Sequence, residues 1–294
     1  PAYQVPLSYQ WNATYQREVG FGTTLEVGYV GTAANFLARE RDLNQLPTGT
    51  TFQAANAGAN VNFLRPYKGF ANINMLEHSG RSTYNGLQIE ANRRFAKGLL
   101  YSFAYTLSKT MDNNSGPRDV FIDTFNQGLN WGKSANDTRH IAVASVVWEL
   151  PFFNGAGINK AVKFIAGGWQ VMGVNQWQTG TPFTIGNGDD YLGIGSNNGK
   201  PWSLNFQPDN SGRRFSNVTA AGNYVGEPNF YYPITNGTSP LAARPANGTL
   251  PNQNRNSISF NNPGFQNWNL AMSKAFRFME RQAVTFKVEA FNWL

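Results

Sequence analysis

Eight segments of this chain read as strand candidates, and in most of them apolar and polar residues take turns for about ten positions before a turn or a polar stretch; the sixth is mixed, with Gln170, Gln176 and Gln178 sharing a face. A period of two puts alternate side chains on opposite faces of an extended strand, so an alternating segment reads as a strand with one apolar and one polar side. The pattern predicts strands over 5–19, 23–32, 83–95, 99–108, 139–150, 169–179, 267–278 and 282–291. The fourth is the clearest, with Leu99, Tyr101, Phe103, Tyr105 and Leu107 opposing Ser102, Ala104, Thr106 and Ser108. The fifth is apolar on both faces; Ala142, Ala144, Val146 and Trp148 are assigned outward, with Ser145 and Glu149 inward. In the seventh, Lys274 interrupts an otherwise apolar face and counts against the assignment.

The connections alternate in length: short at 20–22, long at 33–82, short at 96–98, long at 109–138, medium at 151–168, long at 180–266 and short at 279–281. Barrels that cross a membrane have short turns at one end and long loops at the other, whereas soluble hairpins have no reason to segregate loop length by parity. Phe21, Phe95, Phe152, Phe153, Trp169 and Phe278 fall toward the short turns, and Tyr29, Tyr84, Tyr105, Trp177 and Trp268 toward the long loops. These positions suit two interfacial belts. Strands of about 9–11 residues are long enough to cross obliquely. Leu99, Tyr101, Phe103, Tyr105 and Leu107 are therefore assigned to hydrocarbon. Glu90, Arg94, Lys287 and Glu289 are assigned to a wet interior, because a dry core would penalise them.

Composition agrees. Charged residues make up only 14% of the chain, against roughly 25% in soluble domains, while aromatics also reach 14%. Mean hydropathy is −0.42, and no run of about 18 apolar residues could span as a helix. A membrane-spanning reading must then be a closed barrel, which alone satisfies every backbone group in lipid. The net charge of +7 is scattered, which argues against a nucleic-acid face. There is no cysteine, hence no disulfide framework and no thiolate metal site.

No constellation for catalysis, cofactor or metal emerges. His78 and His140 are far apart. The segment from Gly193 to Lys200 departs from a phosphate loop in spacing, and Pro201 stands where Ser or Thr is needed. Asp189 and Asp190 fit no EF-hand spacing. Five loop aromatics, Tyr191, Trp202, Phe230, Tyr231 and Tyr232, are candidate ligand contacts, since rings can stack on sugar or peptide faces; local loop packing is the competing reading for each.

Several motifs follow one another in a recognisable order. Tyr105-Thr-Leu-Ser-Lys-Thr-Met-Asp112 closes the fourth strand, and Asp137-Thr-Arg-His140 leads into a strand ending Trp148-Glu-Leu-Pro-Phe152. Gly168-Trp-Gln170 opens the next, which ends Gln178-Thr-Gly-Thr-Pro-Phe-Thr184. Pro263-Gly-Phe-Gln-Asn-Trp-Asn-Leu270 and Val288-Glu-Ala-Phe-Asn-Trp-Leu294 complete the set. From about Val5 onward the chain resembles the carboxyl-terminal part of Oar-like TonB-dependent outer-membrane receptors, a group that usually carries an amino-terminal carboxypeptidase-regulatory-like domain. The resemblance implies an all-β, antiparallel transmembrane barrel segment of about eight strands within a barrel of about 22. It implies that residues 1–294 are a partial barrel domain, lacking plug, amino-terminal domain and final strand. The implied function is non-enzymatic: energised uptake of a bulky extracellular solute through a plugged lumen. Its partners are outer-membrane lipid and a TonB-type energy-transducing protein reached through the plug region. Two alternatives stay open: an outer-membrane barrel serving adhesion or surface organisation, and a secreted soluble β-sandwich that binds carbohydrate.

Overall fold

A computed structural model describes residues 4–155, 157–184, 186, 188–196, 201, 203–204, 216–218, 224–229, 242–256, 261–279 and 282–293. Eight long strands dominate: β1 (Leu7–Gly20), β2 (Thr23–Asp42), β3 (Asn74–Ala96), β4 (Leu99–Asp112), β5 (His140–Glu149), β6 (Trp169–Gln178), β7 (Phe265–Met279) and β8 (Gln282–Ala290). They pair antiparallel in sequence order in one sheet, to which a two-residue strand, Gly132–Lys133, adds on β4. β1 and β8 are the borders of this open sheet.

Register explains why the alternation matters. Tyr15, Val27, Ile89, Tyr105, Ala142 and Trp177 stand side by side across six strands, forming one apolar row. The adjacent row on the other face is Gln16, Glu26, Glu90, Ala104, Val143, Gln176 and Asn267. A slip of one residue anywhere would exchange these faces. The two-residue turns fix the register. In Phe21-Gly22 and Lys97-Gly98 both residues have positive φ, the geometry that matches the twist of flanking strands. On the apolar face, the indole of Trp11 lies over Gly31, where any β-carbon would collide with it.

Three strands run further than alternation predicts. β2 continues to Asp42, β3 begins at Asn74, and β4 extends to Asp112. A bulge lies within the extended β2–β3 ladder: Phe36 adopts φ 60°, and the register shifts between Ala34 and Leu37, while the end of β4 pairs with Ser82–Asn85 of β3. Beyond the bulge, Arg39, Glu40, Arg41 and Asp42 break the apolar period while the ladder continues. Tyr84 is corrected too. It pairs with Thr32 and Thr110 and so stands on the polar face, away from the outer belt. The 151–168 connection contains a helix, Lys160–Ala166, N-capped by the Asn159 side chain.

Candidate functional site

The apolar face is built from one side chain in two on every strand. Phe103 lies beside Ala144 on β5, and Tyr101 beside Val146. Leu87 on β3 faces Leu107 on β4. Phe103, Leu107, Val284, Phe286 and Val288 are exposed, an apolar surface of the kind that marks a membrane or partner contact. Polar groups on it are answered locally at the edges of the band. The Tyr29 hydroxyl donates to Asn85 Oδ1 at 2.6 Å, and the Tyr105 hydroxyl and His140 Nδ1 are 2.8 Å apart. Phe21, Phe95, Phe152 and Phe153 are exposed around the short turns; the Phe278 side chain lies outside the described set.

The opposite face carries polar rows. Glu26 and Glu90 are direct cross-strand neighbours, and Ser102 donates to Asn92 at 2.6 Å. Lys287 pairs with Glu289 at 2.6 Å. Glu26 and Glu90 are like charges directly opposite each other, an arrangement that screening by water eases.

Above the bulge, the strand extensions and three long connections interlock. Loop 43–73 receives loop 179–264 through backbone bonds from Leu46 to Ile194 (3.2 Å) and Gly49 to Leu192 (2.7 Å). Arg65 is the main brace: it donates to Asn44 O (2.7 Å), Asn72 Oδ1 (2.8 Å) and Gly195 O (2.5 Å), and stands 3.5 Å from the buried Asp42 carboxylate. Loop 113–139 joins through Asp123, which is fully buried and accepts from Gln45 (2.8 Å), Thr48 (2.9 Å) and the Phe125 amide (2.9 Å). Arg255 ties the third connection to the second, bonding the Asp112 carboxylate and Asn130 O. Arg39, 0% exposed, lies with its guanidinium 3.3 Å from the centre of the Phe121 ring. Ile122, Leu129, Tyr191, Leu192 and Ile194 form the small apolar core of this roof.

A cleft of about 470 Å³ opens beside it, lined by Gln4, Phe36, His78, Ser79, Arg81, Asn113, Gln127, Gly128 and Trp131. It combines rings with amide and guanidinium donors, a lining suited to a polar solute with apolar faces.

Of the candidate loop aromatics, Tyr191 is 1% exposed, and its hydroxyl donates to Pro201 O at 2.5 Å; it packs inside the roof. Burial, with Asp189 nearby, raises its pKa above the ordinary value despite Arg244. Trp202, Phe230, Tyr231 and Tyr232 lie outside the described residues. Asp189 pairs with Arg244 at 2.5 Å, and Asp190 accepts the Ile194 and Gly195 amides, so the loop itself uses both carboxylates. Among the described residues no group of three or more His, Asp or Glu side chains converges. The cleft went unseen in the sequence because its lining comes from separate segments, Phe36 at the bulge, His78 to Arg81 on β3 and Asn113 to Trp131 in the next connection, which no local period joins.

A sheet with one apolar and one polar face, hairpin turns at one end and braced loops at the other defines a membrane β-barrel wall. The chain belongs to the outer membrane beta barrel domain family, whose model matches residues 1–294, and it resides in the outer membrane. No curated protein matches the chain. Among solved structures it is similar to the outer membrane transporter YddB from Escherichia coli, with a TM-score of 0.44 and 9% identity over 99% of this chain and 29% of that one. The chain thus spans less than a third of that transporter's length.

Proposed function

We propose that this chain forms part of the wall of a TonB-dependent, Oar-like receptor that takes up a bulky extracellular solute through a plugged lumen. The observation that carries the reading is the pairing of a polar inner wall, marked by Glu26 beside Glu90, with a roof of three loops braced by Arg65 and Arg255. A barrel that only anchors a surface has no need of both. β1 and β8 border the sheet, and lipid does not tolerate open strand edges. Further strands therefore complete a larger barrel, and a plug within it would meet the energy-transducing protein. The solute contacts are assigned to the cleft beside Trp131 and, from the sequence, to the loop aromatics Trp202, Phe230, Tyr231 and Tyr232.

The test is binding of a fluorescently labelled TonB-type carboxyl-terminal domain to outer-membrane vesicles that contain the full-length protein. Saturable binding above vesicles lacking the protein is expected. Equal binding to both would overturn the energised mechanism and favour an adhesive or organising role.

A further inference from the structure

Lys274 lies on the lipid-facing side of β7, between Trp169 of β6 and Phe286 of β8 in register, and is only 5% exposed. An ammonium facing hydrocarbon is costly unless its protons find acceptors. Here they do: Nζ donates to Gly167 O and to Ile165 O (3.3 Å), the carbonyls at the end of the helix Lys160–Ala166. The same Ile165 oxygen accepts the Trp169 indole N–H at 3.1 Å. Phe164 packs on Phe276, ring centres 5.3 Å apart. The helix is thereby fastened to the outer surface of the wall, at the short-turn end.

Its own sequence is two-sided. At about 100° per residue, Lys160 and Lys163 fall on one arc while Ala161, Val162, Phe164, Ile165 and Ala166 fill the rest. Val162 and Ile165 are exposed, Ile165 at 66%, and the apolar arc is continuous with the lipid-facing belt. A short amphipathic helix with cations on its polar arc, placed where hydrocarbon meets headgroups, suits an interfacial position.

We infer that this helix is a membrane anchor in the inner leaflet of the outer membrane: Val162 and Ile165 enter the acyl boundary, Lys160 and Lys163 engage the phosphates of anionic phospholipid, and Lys274 is the positioning residue that holds the helix to the wall. The inference rests on the barrel reading but not on transport.

Residues 1–294 hold no cysteine, so with any cysteine elsewhere in the full-length protein replaced by serine, an introduced cysteine reports a single site. The experiment places labels at Ile165→Cys and, as reference, Phe103→Cys, in vesicles of phosphatidylethanolamine and phosphatidylglycerol. Oxygen and a nickel chelate serve as lipid-side and water-side relaxants. Both labels are expected to favour oxygen. Lys160→Glu with Lys163→Glu should weaken the Ile165 signal in these vesicles but not in pure phosphatidylcholine, and Lys274→Met should mobilise the Ile165 label, with Lys274→Arg restoring it. A Phe103 label in oxygen and an Ile165 label in nickel overturns the anchor alone; both in nickel overturns the barrel reading. Equal effects of the glutamate pair in both lipids removes the phosphate contact. An unmoved label in Lys274→Met removes the positioning role.

Discussion

Arg65 and Lys274 are both cations in places that disfavour charge, and the chain resolves them differently. Arg65 spends its fork on three oxygens from two loops beside a buried carboxylate, whereas Lys274 borrows helix-end carbonyls. Removing one member of a buried pair leaves the other uncompensated, so Arg65→Ala is expected to destabilise the roof by about 3–5 kcal/mol. Faster hydrogen exchange confined to loops 43–73 and 179–264 is the readout; exchange unchanged from the parent would refute it. Tyr191 makes the roof sensitive to base. Its folded pKa is raised, so its contribution is whole below the unfolded value of about 10 and is lost as pH climbs from there toward the folded value. Roof amides should lose protection above pH 10 while strand amides keep theirs. Lys274 marks the limit of reading residues singly. In the sequence it stood against a strand, because the carbonyls that accept its protons come from another connection.

At the scale of elements, the membrane-crossing parts of the strands were legible because lipid and water impose a strict period of two. Predicted and observed limits of β5, β6 and β8 differ by at most one residue at either end. The legibility ends where lipid does. Past Phe36 the β2–β3 ladder is held by pairs such as Arg41–Glu77 (2.5 Å) rather than by an apolar face, so no period betrays it. The helix Lys160–Ala166 was hidden by its length, though Asn159 as N-cap and the spacing of Ala161, Phe164 and Ile165 were visible clues. Two element-level outcomes are expected. Phe103→Arg, near the middle of the apolar run of β4, should cost about 2–4 kcal/mol of folding stability in bilayers, seen as a lower guanidinium midpoint. Gly98→Val forces a β-branched residue into φ +76°, with its β-carbon 3.2 Å from Glu149. It should cost at least about 1–2 kcal/mol, and an unchanged midpoint would refute the strain.

For the whole molecule, the sequence yielded the two-faced sheet and the polarity of its ends, but not how the long loops meet. That meeting depends on contacts such as Arg65 to Gly195, 130 residues apart, which no local pattern encodes. Protease added outside intact cells should cut within 43–73, 113–139 or 179–264 and spare the turns Phe21-Gly22 and Lys97-Gly98; cleavage at either turn would invert the orientation. The bracing carries a consequence for diversification. Surface segments under attack by phage or antibody ordinarily vary one at a time, by insertion and drift. Here a guanidinium rooted in one segment grips the backbone of the next, so a change in one must be matched in its neighbours. Variation is expected to concentrate at tips remote from Arg65, Asp123 and Arg255, leaving a constant scaffold under a changing crest.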